Sequence, residues 1–193
     1  MRDRGDQIFF DENLARDFIE KIRWPDGRSC TRCGSLKVIR MGGRTQAGML
    51  LCRECRNKFT CRIGTSMEHS HVPLRKWLQA LLVVTTGDRR LSPQKLKRDL
   101  GLGSYRTAWL MARRIREAVF LYRRDVEKRL RRAAMDSAAD ETGRGRASFV
   151  PELDFDDVAR AIIAYSTKPP ERPGIQPDAA YRAVLPAHAG RHV

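Results

Sequence analysis

The chain has 193 residues, 41% hydrophobic and 32% charged, with a formal charge of +15. That size allows one or two small domains, and that composition describes a soluble protein with a modest core. No apolar run reaches the ~18 residues of a membrane span and Met1 to Asp6 lacks a signal-peptide centre, so no membrane is expected and the cytoplasm is the expected compartment.

The charge is unevenly placed: residues 1–29 carry −1, residues 30–62 +7, residues 63–132 +11 and residues 133–193 −2. A basic middle between near-neutral ends is the electrostatic footprint of a polyanion binder, and nucleic acid is the expected partner.

In chain order, Asp11-Glu12 precedes Leu14, Phe18 and Ile22, which recur every four residues. The spacing predicts a short amphipathic helix with an acidic first turn, ended by Trp24-Pro25-Asp26-Gly27. Residues 1–29 are therefore read as a helix packing on the adjoining cysteine-bearing ribbon, with Trp24 in the packing and base stacking as the alternative use of its ring.

Cys30-Thr31-Arg32-Cys33 and Cys52-Arg53-Glu54-Cys55 come next, separated by 18 residues. Each pair on a tight turn aims two thiolates the same way, and folding the spacer into a hairpin brings four sulfurs into the tetrahedron that Zn2+ accepts. Cys30, Cys33, Cys52 and Cys55 are the expected ligands of one structural zinc, closed to substrate. A redox role for a CxxC pair fits less well, because there are two pairs on a ribbon pattern. Gly34 is placed where the chain turns under the metal with positive φ, and strands are expected at 38–41, 49–51 and 58–62. Cys61 reads as a small buried residue and not a ligand. Arg32, Arg53, Arg56 and Lys58 surround the cluster, offsetting its charge or touching phosphate. The ribbon is expected to span residues 30–65.

Residues 66–132 read as all-α. Pro73 opens a helix carrying Leu74, Trp77, Leu78, Leu81 and Leu82, closed by Gly87-Asp88. His69 and His71, just before it, are read as solvent-facing loop residues. Ser92-Pro93 opens a second helix to Leu100, Gly101-Leu102-Gly103 makes the turn, and Ser104 caps a third helix with Ala108, Met111, Ala112, Ile115, Ala118, Val119 and Tyr122 on one face. Two helices joined by a short Gly turn form a helix-turn-helix, whose second helix enters the major groove of double-stranded DNA. Lys95, Tyr105, Arg106, Thr107, Arg113 and Arg116 are the candidate DNA contacts, with Arg106 and Thr107 nearest the bases. The third helix extends to about 132 through Arg123, Arg124, Arg129, Arg131 and Arg132, its stripe Val119, Tyr122, Val126 and Leu130 serving either a dimer seam or packing on its own domain.

Residues 7–122 resemble the N-terminal part of zinc-ribbon insertion-sequence transposases of the DDE type. The matching stretches are Trp24-Pro25-Asp26-Gly27, Cys30-x-x-Cys33-Gly34-Ser35, Cys52-x-x-Cys55-x-x-Lys58-Phe59-Thr60, Gly64-Thr65, Pro73-Leu74-x-x-Trp77, Thr107-Ala108-Trp109-x-Met111 and Arg114-Ile115-Arg116. The resemblance implies that ribbon and helices hold the transposon terminal repeats, while three carboxylates on a further domain bind two Mg2+ ions for strand cleavage. Asp140-Glu141-Thr142 is similar to the stretch bearing the first of those acids, but Gly143-Arg144-Gly145-Arg146 comes after it in place of the expected glycine pair. Beyond it come one short helix, 155–165, and the Pro-rich run Lys168 to Gly174, expected to be extended or disordered. Asp154, Asp156 and Asp157 read as a helix N-terminus complementing the dipole.

The fold class expected is thus small α+β: a zinc ribbon of short antiparallel strands, an all-α helix-turn-helix region, and a largely irregular C-terminal tail over 133–193. The expected function is DNA binding at transposon ends by a truncated transposase with no catalytic residues of its own, in company with an intact enzyme or a second copy. The alternative is a zinc-ribbon transcriptional regulator unrelated to transposition.

Overall fold

A computed structural model describes residues 4–43, 46–85, 91–138 and 153–165. Gly87-Asp88, Asp140-Glu141-Thr142 and the Pro-rich run lie outside them.

The elements in chain order are α1 (Arg4–Gln7), α2 (Glu12–Arg23), β1 (Val38–Arg40), β2 (Leu50–Cys52), β3 (Lys58–Phe59), α3 (Leu74–Thr85), α4 (Pro93–Asp99), α5 (Tyr105–Ala138) and α6 (Phe155–Ala164). This is a small α+β architecture, with the three strands in one antiparallel sheet of order β1-β2-β3.

Asp11 starts α2 by accepting the amides of Asn13 and Leu14 at 2.7 and 2.9 Å, which satisfies two of the donors a helix start leaves open. The stripe buried by α2 differs from the expected one. Ala15 and Ile19 are fully buried and Phe18 and Ile22 partly so, while Leu14 faces solvent. The small side chain of Ala15 lets α2 approach its neighbours closely, and the larger residues take the flanks.

In the sheet, Val38 pairs with Cys52 and Leu50 with Phe59. Leu50 and Phe59 point into the core, and Phe59 meets the Trp24 ring edge-on at 6.1 Å. Trp24 is thus a packing residue. The third strand is shorter than expected, because the chain turns at Cys61.

Helix α3 buries Leu74, Trp77, Leu78 and Leu81 as its spacing predicts, while Leu82, the fifth residue of that set, is exposed at the edge of the stripe. Its first amides are capped from α2: Glu12 accepts Leu74 N at 2.8 Å and Arg75 N at 3.2 Å. At the end of α4, Gly101 takes φ +56° while Leu102 N donates to Lys97 O and Gly101 N to Arg98 O, the pairing of a Schellman motif. Ser104 then caps α5 by accepting Thr107 N at 3.0 Å. Ser92 holds the N-cap position of α4, but its hydroxyl bonds Gln94 Oε1 rather than a backbone amide.

The short helix expected at 155–165 is present as α6, and its position is the main surprise. Asp154 and Asp157 form a reciprocal capping box at its start, so the acids there serve the helix. Val158, Ala159, Ala161, Ile162, Ile163 and Ala164 are all buried, and α6 packs against α2, α3 and α5. Phe155 meets Phe9 and Phe18. Ser66 N donates to Ile162 O at 2.9 Å, Tyr122 donates to Asp157 Oδ1 at 2.7 Å, and the Tyr165 hydroxyl bonds Asp125. Ribbon and helices consequently share one core with α6 near its middle.

Candidate metal centre and nucleic-acid interface

The two CxxC turns converge as their spacing requires. Cys30, Cys33, Cys52 and Cys55 each offer a sulfur, and the four lie within 4.8 Å of one another. Cys30 Sγ is 3.5 Å from Cys55 Sγ and Cys33 Sγ 3.6 Å from Cys52 Sγ. A tetrahedron with Zn–S bonds of ~2.3 Å has edges of about 3.8 Å, so the cluster fits one structural zinc. The backbone prepares both turns for anions. Arg32 N points at Cys30 Sγ from 3.4 Å, and the amides of Cys55 and Glu54 hold the Cys52 thiol down to about 7. Burial pushes Cys30 up. At Cys33 the amide of Ser35 favours the thiolate, but the neighbouring Cys55 and Cys52 thiols and partial desolvation prevail and drive it up to about 12. The same thiol contacts lower Cys52 and raise Cys33, so one sulfur ionises at the expense of another, and a divalent cation is what lets the set be thiolates together.

Cys61 stands apart from the cluster, buried, with desolvation and the nearby Glu20 carboxylate pushing its thiol up to about 11. His69 and His71 are likewise not among the clustered ligands; they line a cleft of about 400 Å3 with Lys76, Trp77, Thr107 and Arg114. Arg32, Arg53, Arg56 and Lys58 are distributed around the ribbon, with Arg53 directly after β2 and Lys58 the first residue of β3.

The α4–α5 pair has the order of a helix-turn-helix, with Leu96, Leu100 and Leu102 packed in the same core as Ala108, Met111 and Ile115. At the start of α5, Tyr105 and Arg106 are exposed, and Thr107 is half-buried with its hydroxyl 2.9 Å from Ser104 Oγ. Arg113 is exposed, 4.0 Å from Glu117. Arg116 donates to Leu91 O at 2.7 Å, which ties α5 to the segment entering α4. Lys95 is half-buried on α4.

Several structural cations are not legible from spacing. Arg114 donates to Ser66 O and Glu68 O at 3.2 and 2.8 Å, and Arg62 to Ser70 O and Val72 O at 2.8 and 2.7 Å, so both hold the ribbon exit against the helices. Glu20, by spacing only one acid of an acidic helix, is buried, and its Oε2 accepts Arg28 at 2.7 Å and Arg40 at 2.8 Å. It clamps α2 to β1. Only a buried acid at the centre of the α2 face would have hinted at it. Trp109, absent from the expected contacts, also has an exposed ring.

Residues 10–62 match the family model described as the transposase zinc-ribbon domain. Over 113 residues the chain is 33% identical to an uncharacterized protein in transposable element ISH50 of Halobacterium salinarum, a match covering 58% of this chain and 37% of that relative. No solved structure matches. The family model places a transposase-type zinc ribbon in residues 10–62, and the relative belongs to a transposable element. Among the described residues no helix is long and apolar enough to cross a membrane.

Proposed function

We propose that this chain binds double-stranded DNA at transposon terminal repeats, using the zinc ribbon and the α4–α5 pair together. The observation that carries the reading is the four-sulfur cluster inside a segment matching a transposase ribbon, succeeded in the same core by a Ser104-capped helix with Tyr105 and Arg106 exposed at its start. In this reading Arg106 and Thr107 approach base edges, while Lys95, Tyr105, Arg113 and Arg116 meet the phosphate backbone. Arg116 reaches phosphate only by sharing its guanidinium with Leu91 O.

The chain recognises ends without cutting them, and so competes with an intact enzyme or pairs with a second copy. Supporting this, the Asp154 and Asp157 carboxylates are engaged in capping α6 and receiving Tyr122, and a zinc held by four cysteines has no open position for chemistry.

A mobility-shift titration on terminal-repeat duplexes against random duplex of equal length tests the reading. Preference for the repeats is expected, with log K falling about 0.9 per phosphate neutralised as log salt rises. Equal binding to both would leave a non-specific nucleic-acid regulator. Strand cleavage with Mg2+ or Mn2+ by the same preparation would overturn the non-catalytic part.

A further inference from the structure

The core-facing side of α5 is settled by Ala108, Met111, Ile115, Ala118 and Tyr122. Away from it, Tyr105, Trp109, Arg113, Phe120, Arg123 and Arg124 succeed one another at intervals of three, four or seven residues, apart from the adjacent closing arginines, and so share one side of the helix. All are exposed, Phe120 at 63%, an unusual position for a large apolar ring. The Arg113 guanidinium lies 5.7 Å from the centroid of the Trp109 ring. From Trp109 to Phe120 the rise is about 16 Å.

We propose that this stripe is a stacking platform for unpaired DNA, with Trp109 and Phe120 as its rings; it shares Tyr105 and Arg113 with the duplex contacts and extends beyond them to Arg123 and Arg124. Flat rings flanked by arginines on one open face suit single-stranded nucleic acid, where bases stack on the rings and the cations track the phosphates. A helix lying in an intact major groove meets base edges and phosphates while the base faces stay stacked, so exposed Trp and Phe rings have nothing there to stack on. Charge argues against a second copy as the occupant, because Arg113, Arg123 and Arg124 of two stripes would face each other. A single strand supplies the opposite charge.

The chain carries its own probe. Trp24 and Trp77 are buried and Trp109 is exposed, so quenching of tryptophan emission by iodide or by bases reports mainly on Trp109. The zinc-loaded full chain is titrated with oligo(dT) while emission is monitored, and binding is measured independently by anisotropy of a labelled strand. Stacking predicts emission quenching on binding. It also predicts that Trp109→Ala and Phe120→Ala each weaken oligo(dT) binding by about tenfold while duplex affinity stays within about twofold. Unchanged oligo(dT) affinity in both variants, or equal losses on single strand and duplex, overturns the proposal. So does a Trp109 shielded from iodide in the free chain, with concentration-dependent sedimentation identifying a second copy as the cover. Because the duplex arm is read separately, loss of terminal-repeat preference and loss of strand stacking are distinguishable.

Discussion

Gly34 and Arg56 hold the same place in the two metal-binding turns, each directly after a CxxC pair and each with left-handed backbone, at φ +73° and +57°. The first turn uses the residue that adopts this conformation freely; the second forces it on a side chain with a Cβ. Arg56→Gly should therefore stabilise the ribbon by about 0.5–1 kcal/mol, the relief of strain partly offset by the added freedom of the unfolded chain. Gly34→Arg should cost at least as much. Urea unfolding of the zinc-loaded variants checks both, and a destabilised Arg56→Gly would mean that the arginine side chain contributes more than its backbone costs.

Removing the metal should be felt beyond the ribbon. The three strands contain eight residues, too few to form a core of their own, and structural zinc supplies on the order of 10 kcal/mol to such folds. Yet Leu50 and Phe59 are packed in the same core as Ile19, Trp77 and Ile162. Cys52→Ser, or a strong chelator, should abolish one-to-one zinc content and also lower the melting temperature of the helical circular-dichroism signal. Helices that melt unchanged after chelation would contradict the shared core.

The metal centre was legible because ligand chemistry is local: two CxxC pairs and a spacer suffice to define four convergent sulfurs. The starts of α2, α5 and α6 were legible for the same reason, as Asp11, Ser104 and Asp154 act on amides two or three residues away. Ser92, by contrast, caps no amide of α4, and α3 is capped by the distant Glu12. What depended on long-range packing was not. Nothing in the segment 155–164 announces that its apolar face lies between α2, α3 and α5, because an amphipathic decamer looks alike on a surface and in a core. The partners of Arg62, Arg114 and Glu20 escaped similarly. A cation in a basic sequence gives no sign of whether it faces phosphate or a buried carbonyl.

The burial of α6 makes a direct prediction. Ile162 is fully enclosed, and its carbonyl accepts Ser66 N at 2.9 Å. Ile162→Ala should destabilise the fold by about 2–5 kcal/mol through lost transfer energy and the cavity left behind. A surface-like cost below about 0.5 kcal/mol in chemical denaturation would place α6 outside the core.

Glu12 offers a test of how α3 is started. Its carboxylate accepts the amides of Leu74 and Arg75, doing from another helix what an N-cap does locally, with Arg62 Nη2 3.5 Å away. Glu12→Ala should cost about 1–2 kcal/mol and speed amide exchange at the first turn of α3. Unaltered protection at Leu74 and Arg75 would show that these donors find other partners.

The fifth cysteine should give the fold a pH dependence of its own. Burial, with the Glu20 carboxylate nearby, raises the Cys61 thiol from 9.0 to about 11. In the unfolded chain the thiol ionises first, so above pH 9 the native state binds more protons than the unfolded state and stability falls as pH rises. The contribution is intact below about pH 9 and lost progressively up to about pH 11, amounting to about 2–3 kcal/mol for a shift of about two units. Tyr122, also raised by burial and by its bond to Asp157, adds a loss of the same sign from about pH 10 upward. Chemical unfolding of the zinc-loaded chain and of Cys61→Ala at several pH values from about 8 to about 11 separates the two. The wild-type curve should fall more steeply than the variant's between about pH 9 and about pH 11, and parallel curves would mean that the Cys61 thiol does not titrate differently on folding.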